Sequence, residues 1–246
     1  DEAAQMAADA ISAFGYKGKL ALKTDNEPAL IDLRREVERK LENDIAIVRP
    51  LPGESQSNGV IESGVKTFKG LLRVHLMALG RKVDVHVPTA HPLMKWLIEY
   101  VTDIITEYLM GSDGKTGYNR LFGKQVNEEQ LEFGEKVLYR CRSAQNQGVL
   151  LEPRWETGYW LGKSWGSNLN RILVNPRKVM ECRGVQRVPK IERWDKEALN
   201  NALATPARWM VSEDDEEPQA VFLPRTTQTE VPVPVEKTDI PRRVYL

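Results

Sequence analysis

The sequence predicts a mixed α/β unit followed by a small β-barrel. Two short strand-like runs flank a helix between residues 19 and 49, and long amphipathic helices follow. Near residue 132 the texture changes to β-like runs separated by Gly, Asn and Pro. The chain has 246 residues, enough for one or two domains with real cores. Its 41% hydrophobic and 28% charged content is that of a globular chain, not a disordered one.

Residues 2–14 (EAAQMAADAISAF) are Ala-rich and helix-prone, with Gly15 as a stop. KLALKT (19–24) reads as a strand with Leu20 and Leu22 on one face. Asp25-Asn26-Glu27-Pro28 reads as a turn that caps a second helix, whose Leu30, Leu33, Val37 and Leu41 share a side. DIAIVR (44–49) is the second strand, and PLPGESQSNG (50–59) is a loop by composition. In the helix from about residue 60 to 79, Ile61, Val65, Phe68 and Leu72 recur at helical spacing and are expected to face the core. Glu62, Lys66, Lys69 and Arg73 repeat at that spacing on an adjacent face.

A later helix begins near Pro92 and carries a broad apolar stripe from Leu93 to Leu109. Lys95, Glu99, Asp103 and Glu107 interrupt the stretch, so it is a packed core or interface helix and not a membrane span. GEKVLYR, TGYWLG, NRILVN and KVMECRGVQRVP supply the strands of the barrel, over residues 132–194. Residues 195–246 hold a last helical patch, KEALNNALA, and then EDDEEP and VPVPVEKTDIPRR. They read as an acidic, Pro-containing tail or linker.

Net charge is zero, so any affinity for nucleic acid has to come from local charge distribution. Cys141 and Cys182 form no CxxC pair and no zinc-spaced cluster, which suits a reduced setting better than a disulfide framework. His75, His86 and His91 lack Cys partners at ligand spacing and read as surface or cap residues. Neither a signal peptide nor an uncharged stretch of membrane-spanning length is present, so the expected location is nuclear or cytoplasmic.

Strand, helix, strand is the pattern of a βαβ unit with parallel strands. Asp25 then sits just past the carboxyl end of the first strand, and Glu62 follows the loop leaving the carboxyl end of the second. Open α/β sheets place their chemistry at that edge. Two carboxylates there are hard-oxygen ligands of the kind Mg²⁺ takes, and metal-bound carboxylates serve phosphoryl transfer. The basic residues Lys66, Lys69 and Arg73 beside Glu62 are where a DNA backbone would be held. Each residue also has a plainer role: Asp before Pro caps helices, Glu in a first turn favours the helix dipole, and Lys-rich faces are commonly solvated.

TDNE (24–27) and SQSNGVIES (55–63) resemble the second and third blocks of the integrase core of retroviruses and copia-like retrotransposons. That core has an RNase H-like fold and an Asp, Asp, Glu triad with about 35 residues between the last two acids. Here 36 residues separate Asp25 from Glu62. DGKTGYNRLFGK (113–124) resembles the segment that closes copia-type cores, and the β-rich region is similar to the SH3-like barrel that follows many of them. LEPRWETGYWLG and RVPKIERWD resemble a protist retroelement polyprotein.

The resemblance implies an RNase H-like core lacking its first strands (residues 1–125), then an SH3-like barrel (132–194). It implies Asp25 and Glu62 as catalytic ligands of Mg²⁺ or Mn²⁺. It places Ser55, Gln56, Ser57, Asn58 and Gly59 in an active-site loop, and Lys66 and Lys69 at the DNA end. The implied reaction is 3′-end processing and strand transfer on element ends and target DNA, by a homo-oligomer of the full-length protein. The family's first Asp lies upstream of the opening helix, and residues 1–14 read as that helix. The chain is therefore expected to be a fragment, inactive alone. The alternative is a decayed or domesticated element that binds DNA or protein without chemistry.

Between Gly134 and Trp194 basic residues outnumber acidic ones by twelve to five. Arg140, Arg142, Arg154, Lys163, Arg171, Arg177, Lys178, Arg183 and Arg187 sit among Tyr139, Trp155, Tyr159, Trp160 and Trp165. A basic, aromatic-bearing barrel is a DNA-backbone binder by composition, although Trp160 and some of the other aromatics are equally suited to its core.

Overall fold

In the computed structural model, residues 2–24, 27–48, 59–127, 131–140, 154–164, 167–214 and 220–225 are described. The first of these form a βαβ unit preceded by a helix. α1 (Glu2–Ala13) leads to β1 (Leu20–Lys23), α2 (Pro28–Lys40) and β2 (Ile45–Val48). The strands are parallel, in register from Leu20 opposite Ile45 to Lys23 opposite Val48. α2 starts with Pro at its first turn and ends on Arg39 and Lys40, which complement its dipole. Its N-cap is Glu27, which makes no side-chain capping bond. Ala4 and Ala8 of α1 and Val37 and Leu41 of the second helix form a small core, with Leu20, Leu22, Leu33 and Ile45 packed on it. Arg34 lies on that same stripe and is 5% exposed.

A separate and larger core holds the rest together. α3 (Gly59–Lys82), β3 (Val85–His86), α4 (Pro92–Tyr108) and α5 (Gly117–Phe122) precede the main sheet. Of the four residues expected to face inward from α3, Phe68 and Leu72 pack on this core, whereas Ile61 and Val65 are 53% and 45% exposed. The first turns of α3 extend beyond the surface that its later turns cover. α4 buries Leu93, Met94, Trp96, Leu97, Tyr100 and Val101, as the apolar stripe requires. Thr116 caps α5 by accepting from the Asn119 amide at 3.1 Å.

β4 (Lys136–Arg140), β5 (Trp155–Lys163), β6 (Asn170–Asn175), β7 (Lys178–Cys182) and β8 (Val185–Arg187) make one antiparallel sheet. Its order is β7-β6-β5-β4-β8, so the last strand returns to the side of the first. No pairing joins the outer strands β7 and β8 among the described residues. A bulge after Trp160 puts Gly162 at φ 122°, a backbone shape that a side chain would strain. At Gly158 a Cβ would lie 2.3 Å from Ile172 Cγ2 and 3.0 Å from the Leu173 carbonyl oxygen, so the neighbouring strand approaches there because no side chain intervenes.

The sheet packs on the helices that precede it. Trp160 meets Tyr100 of α4 edge to face at 5.7 Å, and Tyr100 stacks at a tilt on Phe133 at 5.4 Å. One buried cluster runs through α3, α4 and the sheet. Across the boundary expected at residues 125–132, α3 and α4 thus share a buried cluster with the sheet, whereas β1 and β2 pack on the smaller one.

Within the stretch expected as a tail, residues 195–214 and 220–225 are described and pack on the body. α6 (Lys196–Asn200) starts at Asp195, whose side chain accepts from the Ala198 amide, and Leu199, Ala202 and Ala204 are fully buried. The Trp96 indole donates to the Ala204 carbonyl at 2.8 Å, and Trp209 packs on Trp96 at 5.6 Å. The Phe222 amide donates to Asn200 Oδ1 at 2.6 Å, and β9 (Leu223–Pro224) pairs with β3. Residues 195–214 and 220–225 are thus a strap from the sheet back to α4. Residues 226–246 lie outside the described part. Among the described residues no helix is long and apolar enough to cross a membrane.

Candidate functional site

The parallel register puts the carboxyl ends of β1 and β2 at one edge, with Lys23 opposite Val48. Asp25 follows β1 by two residues, and both it and Ser55, Gln56, Ser57 and Asn58 lie outside the described residues. Gly59 opens α3. Thr24, at the foot of that edge, receives a 3.4 Å contact from Arg34 Nη1. A guanidinium buried this deeply needs anionic or polar partners, because removing its hydration is costly. Its Nε has no hydrogen-bond partner among the described residues. Sequence reasoning missed Arg34, although its place between Leu30, Leu33 and Val37 put it on the inward stripe of α2.

Glu62 is in the first turn of α3 and exposed. Lys66, Lys69 and Arg73 are exposed too, and successive steps of four, three and four residues hold them on one side of a single helix. The row of one carboxylate and three cations therefore stands in solvent as the spacing predicts. Among the described residues no group of three or more His, Cys, Asp or Glu side chains gathers to hold a metal ion. Two carboxylates, Asp25 and Glu62, fit a hard divalent cation in kind and are fewer than a two-metal site uses.

The basic residues of the sheet separate into two groups. Arg140 and Arg154 are exposed at the ends of β4 and β5, and Arg183 is exposed in the β7–β8 turn. Arg187, by contrast, ion-pairs with Glu135 at 3.1 Å, and Arg193 joins the same carboxylate at 3.3 Å. Glu135 is completely buried, so these two cations neutralise an internal charge. Arg171 pairs with Glu99 of α4 and lies over the rings of Trp96 and Trp209 at 5.8 and 5.9 Å. Lys163 is half-buried and lines a concavity of about 110 Å³ together with Asp103, Glu107 and Lys124. Arg187, expected as a DNA contact, is held by the buried Glu135, 52 residues away in sequence.

The aromatics divide in the same way. Trp160 and Tyr139 are each 2% exposed. The Trp160 indole donates to Asn170 Oδ1 at 3.0 Å, and the Tyr139 hydroxyl donates to Glu156 at 2.6 Å. Trp155 is half-buried, and Tyr159 donates to Asp195 at 2.8 Å. Trp165, Cys141 and Arg142 lie outside the described residues.

Asp103 is the most perturbed acid of α4. Burial pushes its carboxyl up to about 7, Glu107 and Glu99 add to the rise, and Arg171 opposes it. Its Oδ2 is buried without a hydrogen-bond partner among the described residues. His91 is a buried cap rather than a surface residue. Its Nδ1 accepts from the Leu93 amide and its Nε2 lies 3.1 Å from the Asn200 carbonyl, and burial lowers its pKa. His75 is half-buried edge-on against Tyr100, and His86 is exposed in β3.

No protein-family model matches the chain, and no curated protein matches it significantly.

Proposed function

We propose that the chain handles DNA in the manner of a retrotransposon integrase, contributing part of an RNase H-like catalytic core and an SH3-like backbone-binding module. The observation that carries this reading is the solvent-exposed row Glu62, Lys66, Lys69 and Arg73 on α3, the helix that follows a parallel β1–β2 pair. A carboxylate leading a line of cations suits a phosphodiester backbone held next to a metal site. The return of β8 to the side of β4 suits a small barrel.

In this reading Asp25 and Glu62 hold Mg²⁺ or Mn²⁺. Such an ion, when bound, activates an attacking oxygen and stabilises the leaving one. Lys66, Lys69 and Arg73 bind and orient the DNA end, and Arg140, Arg154 and Arg183 hold the backbone further along. Element ends and target DNA are the proposed partners, a homo-oligomer the proposed assembly, and the nucleus or cytoplasm the proposed location. A non-catalytic DNA- or protein-binding module is the second reading. It is favoured by the exposure of Glu62 in a first helical turn, where a carboxylate also simply favours the dipole.

Mn²⁺ titration followed by nuclear magnetic resonance separates the two. The integrase reading expects line broadening centred on Asp25 and Glu62 that disappears when both are replaced by Ala. Absence of broadening there, with DNA binding retained, leaves the non-catalytic module.

A further inference from the structure

α5 starts close against α4. A Cβ at Gly117 would lie 3.3 Å from the Thr106 carbonyl oxygen, so the missing side chain permits the approach. Asp103 and Glu107, one turn apart on α4, and Tyr118 and Phe122, one turn apart on α5, then line one concavity of about 110 Å³. The two rings meet at 4.6 Å with a tilt of 46°. Lys163, the last residue of β5, and Lys124, just past α5, line it as well. The volume is several times the roughly 30 Å³ share of one water and well below the roughly 300 Å³ at which drug-sized pockets begin. It suits one ring or one side chain. Two acids and two lysines share its wall, so a guest of either single charge meets its own sign there. A lysine or arginine side chain would come beside two ammonium groups. Asp103 Oδ2 is buried without a hydrogen-bond partner among the described residues, a state that a donor on a guest would relieve. Phe122 is 45% exposed, so a planar group arriving from solvent can reach it.

We propose that this concavity between α4, α5 and the end of β5 takes a single unpaired base at a DNA end, an inference that rests on the DNA-handling reading above. The base stacks on Phe122, its exocyclic amino group donates to the Asp103 carboxyl, and Lys163 and Lys124 hold the flanking phosphate. A nucleotide fits the mixed wall because it brings donors at one end and negative charge at the other. Stacking serves any base, since each has a π-face. The carboxyl supplies the choice: cytosine, adenine and guanine carry an amino group, and thymine does not. A base inside a duplex stays in the stack and does not enter, so the site distinguishes a frayed or processed end from a blunt one.

Anisotropy titrations on the whole chain test this with labelled duplexes that are blunt or carry one unpaired 5′ cytosine or thymine. Each affinity is expressed relative to the blunt duplex bound by the same variant. On the native chain either overhang is expected to tighten binding at least about fivefold through stacking. Cytosine is expected to bind at least about threefold tighter than thymine, a pyrimidine of similar size, through the bond to Asp103. Asp103→Ala should bring the two overhangs level, whereas Phe122→Ala should lower both gains alike. Overhangs that bind no tighter than the blunt duplex, or cytosine and thymine equal on the native chain, overturn the proposal and leave the DNA-handling reading standing. A cytosine advantage that survives Asp103→Ala overturns it too. If no duplex binds even at low salt, the DNA-handling reading fails, and deoxycytidine monophosphate decides the pocket by itself. Shifts of the Asp103, Phe122 and Lys163 amide resonances on adding it retain the pocket as a nucleotide site, and their absence overturns it.

Discussion

The βαβ unit and the larger body bury very different things. Among the described residues of 2–48, the core rests on two alanines, one valine and one leucine, with half-buried apolar side chains packed on it and a buried arginine among them. The larger body buries Trp96, Trp160, Leu93, Leu97, Leu161 and Ile172 essentially completely. Fully burying a large apolar side chain is worth roughly 1.5–3 kcal/mol, whereas an alanine contributes a small fraction of that. The edge that would carry Asp25 therefore belongs to the thinly packed region, and the basic sheet to the densely packed one. On the proposed function, the cations of the sheet stand on the firmer scaffold and the β1–β2 edge on the weaker one.

The largest expected effect lies in the dense region. Trp96→Ala removes a fully buried ring, its bond to Ala204 and its contact with Trp209. A cost of about 3–5 kcal/mol is expected, read as a lower urea midpoint with loss of aromatic circular dichroism. If the two regions are energetically distinct, amide exchange in α1 and α2 stays as it was. Equal acceleration in those helices breaks the distinction.

A second effect comes from pH at the junction between α4 and the sheet. The folded Asp103 carboxyl titrates at about 7, against 3.8 ordinarily. Its neighbours are Glu99 and Glu107 on the same helix, Arg171 and Lys163 from the sheet, Tyr118 of α5 and Lys124 just after it. Since the folded value is raised, the folded chain keeps a proton that the unfolded chain has released. The contribution is full below about pH 4 and is lost as pH rises through about 7, with a slope of at most about 1.4 kcal/mol per pH unit. Urea midpoints measured from pH 4 to 8 should fall accordingly, and Asp103→Asn should flatten the fall. A native profile as flat as the variant's removes Asp103 from the account.

Much of this division was hidden from sequence for physical reasons. The inward stripe of α2 was legible because Leu33, Val37 and Leu41 pack with α1 and the β1–β2 pair, so there periodicity and burial coincide. On α3 the same periodicity named Ile61 and Val65, which are exposed: spacing defines a face, but the extent of the surface opposite it is a tertiary fact. The strap was unreadable because its bonds, such as Trp96 to Ala204 and Phe222 to Asn200, join residues with no local signature. The solvent row on α3 was legible from helical geometry alone. The ion pair of Arg187 was not legible because Glu135 lies 52 residues away in sequence.

Val37→Ala in the thin region is expected to cost less than the tryptophan change. It deletes two methyl groups from a site 5% exposed, for about 1–2 kcal/mol. The measurement is amide exchange in α1, α2 and the two strands, which should speed up while the sheet is unaffected. Faster exchange spread evenly over both regions would show a single cooperative unit and contradict the two-core description.

The smallest effect separates solvent-facing cations from engaged ones. Lys66 stands exposed on α3, whereas Arg187 is committed to the buried Glu135. Each cation neutralising a phosphate contributes about 0.9 to the slope of log affinity against log salt. Lys66→Ala is therefore expected to lower that slope by about one and leave the urea midpoint where it was, since an exposed lysine takes part in no buried contact. Arg187→Ala should do the reverse. It strands part of a buried carboxylate charge, which lowers stability, and it leaves the salt slope unchanged because that guanidinium never reached the DNA. If Arg187→Ala flattens the slope as much as Lys66→Ala does, ion pairing with Glu135 does not withhold it from DNA, and the separation of the basic residues into two groups fails at that position.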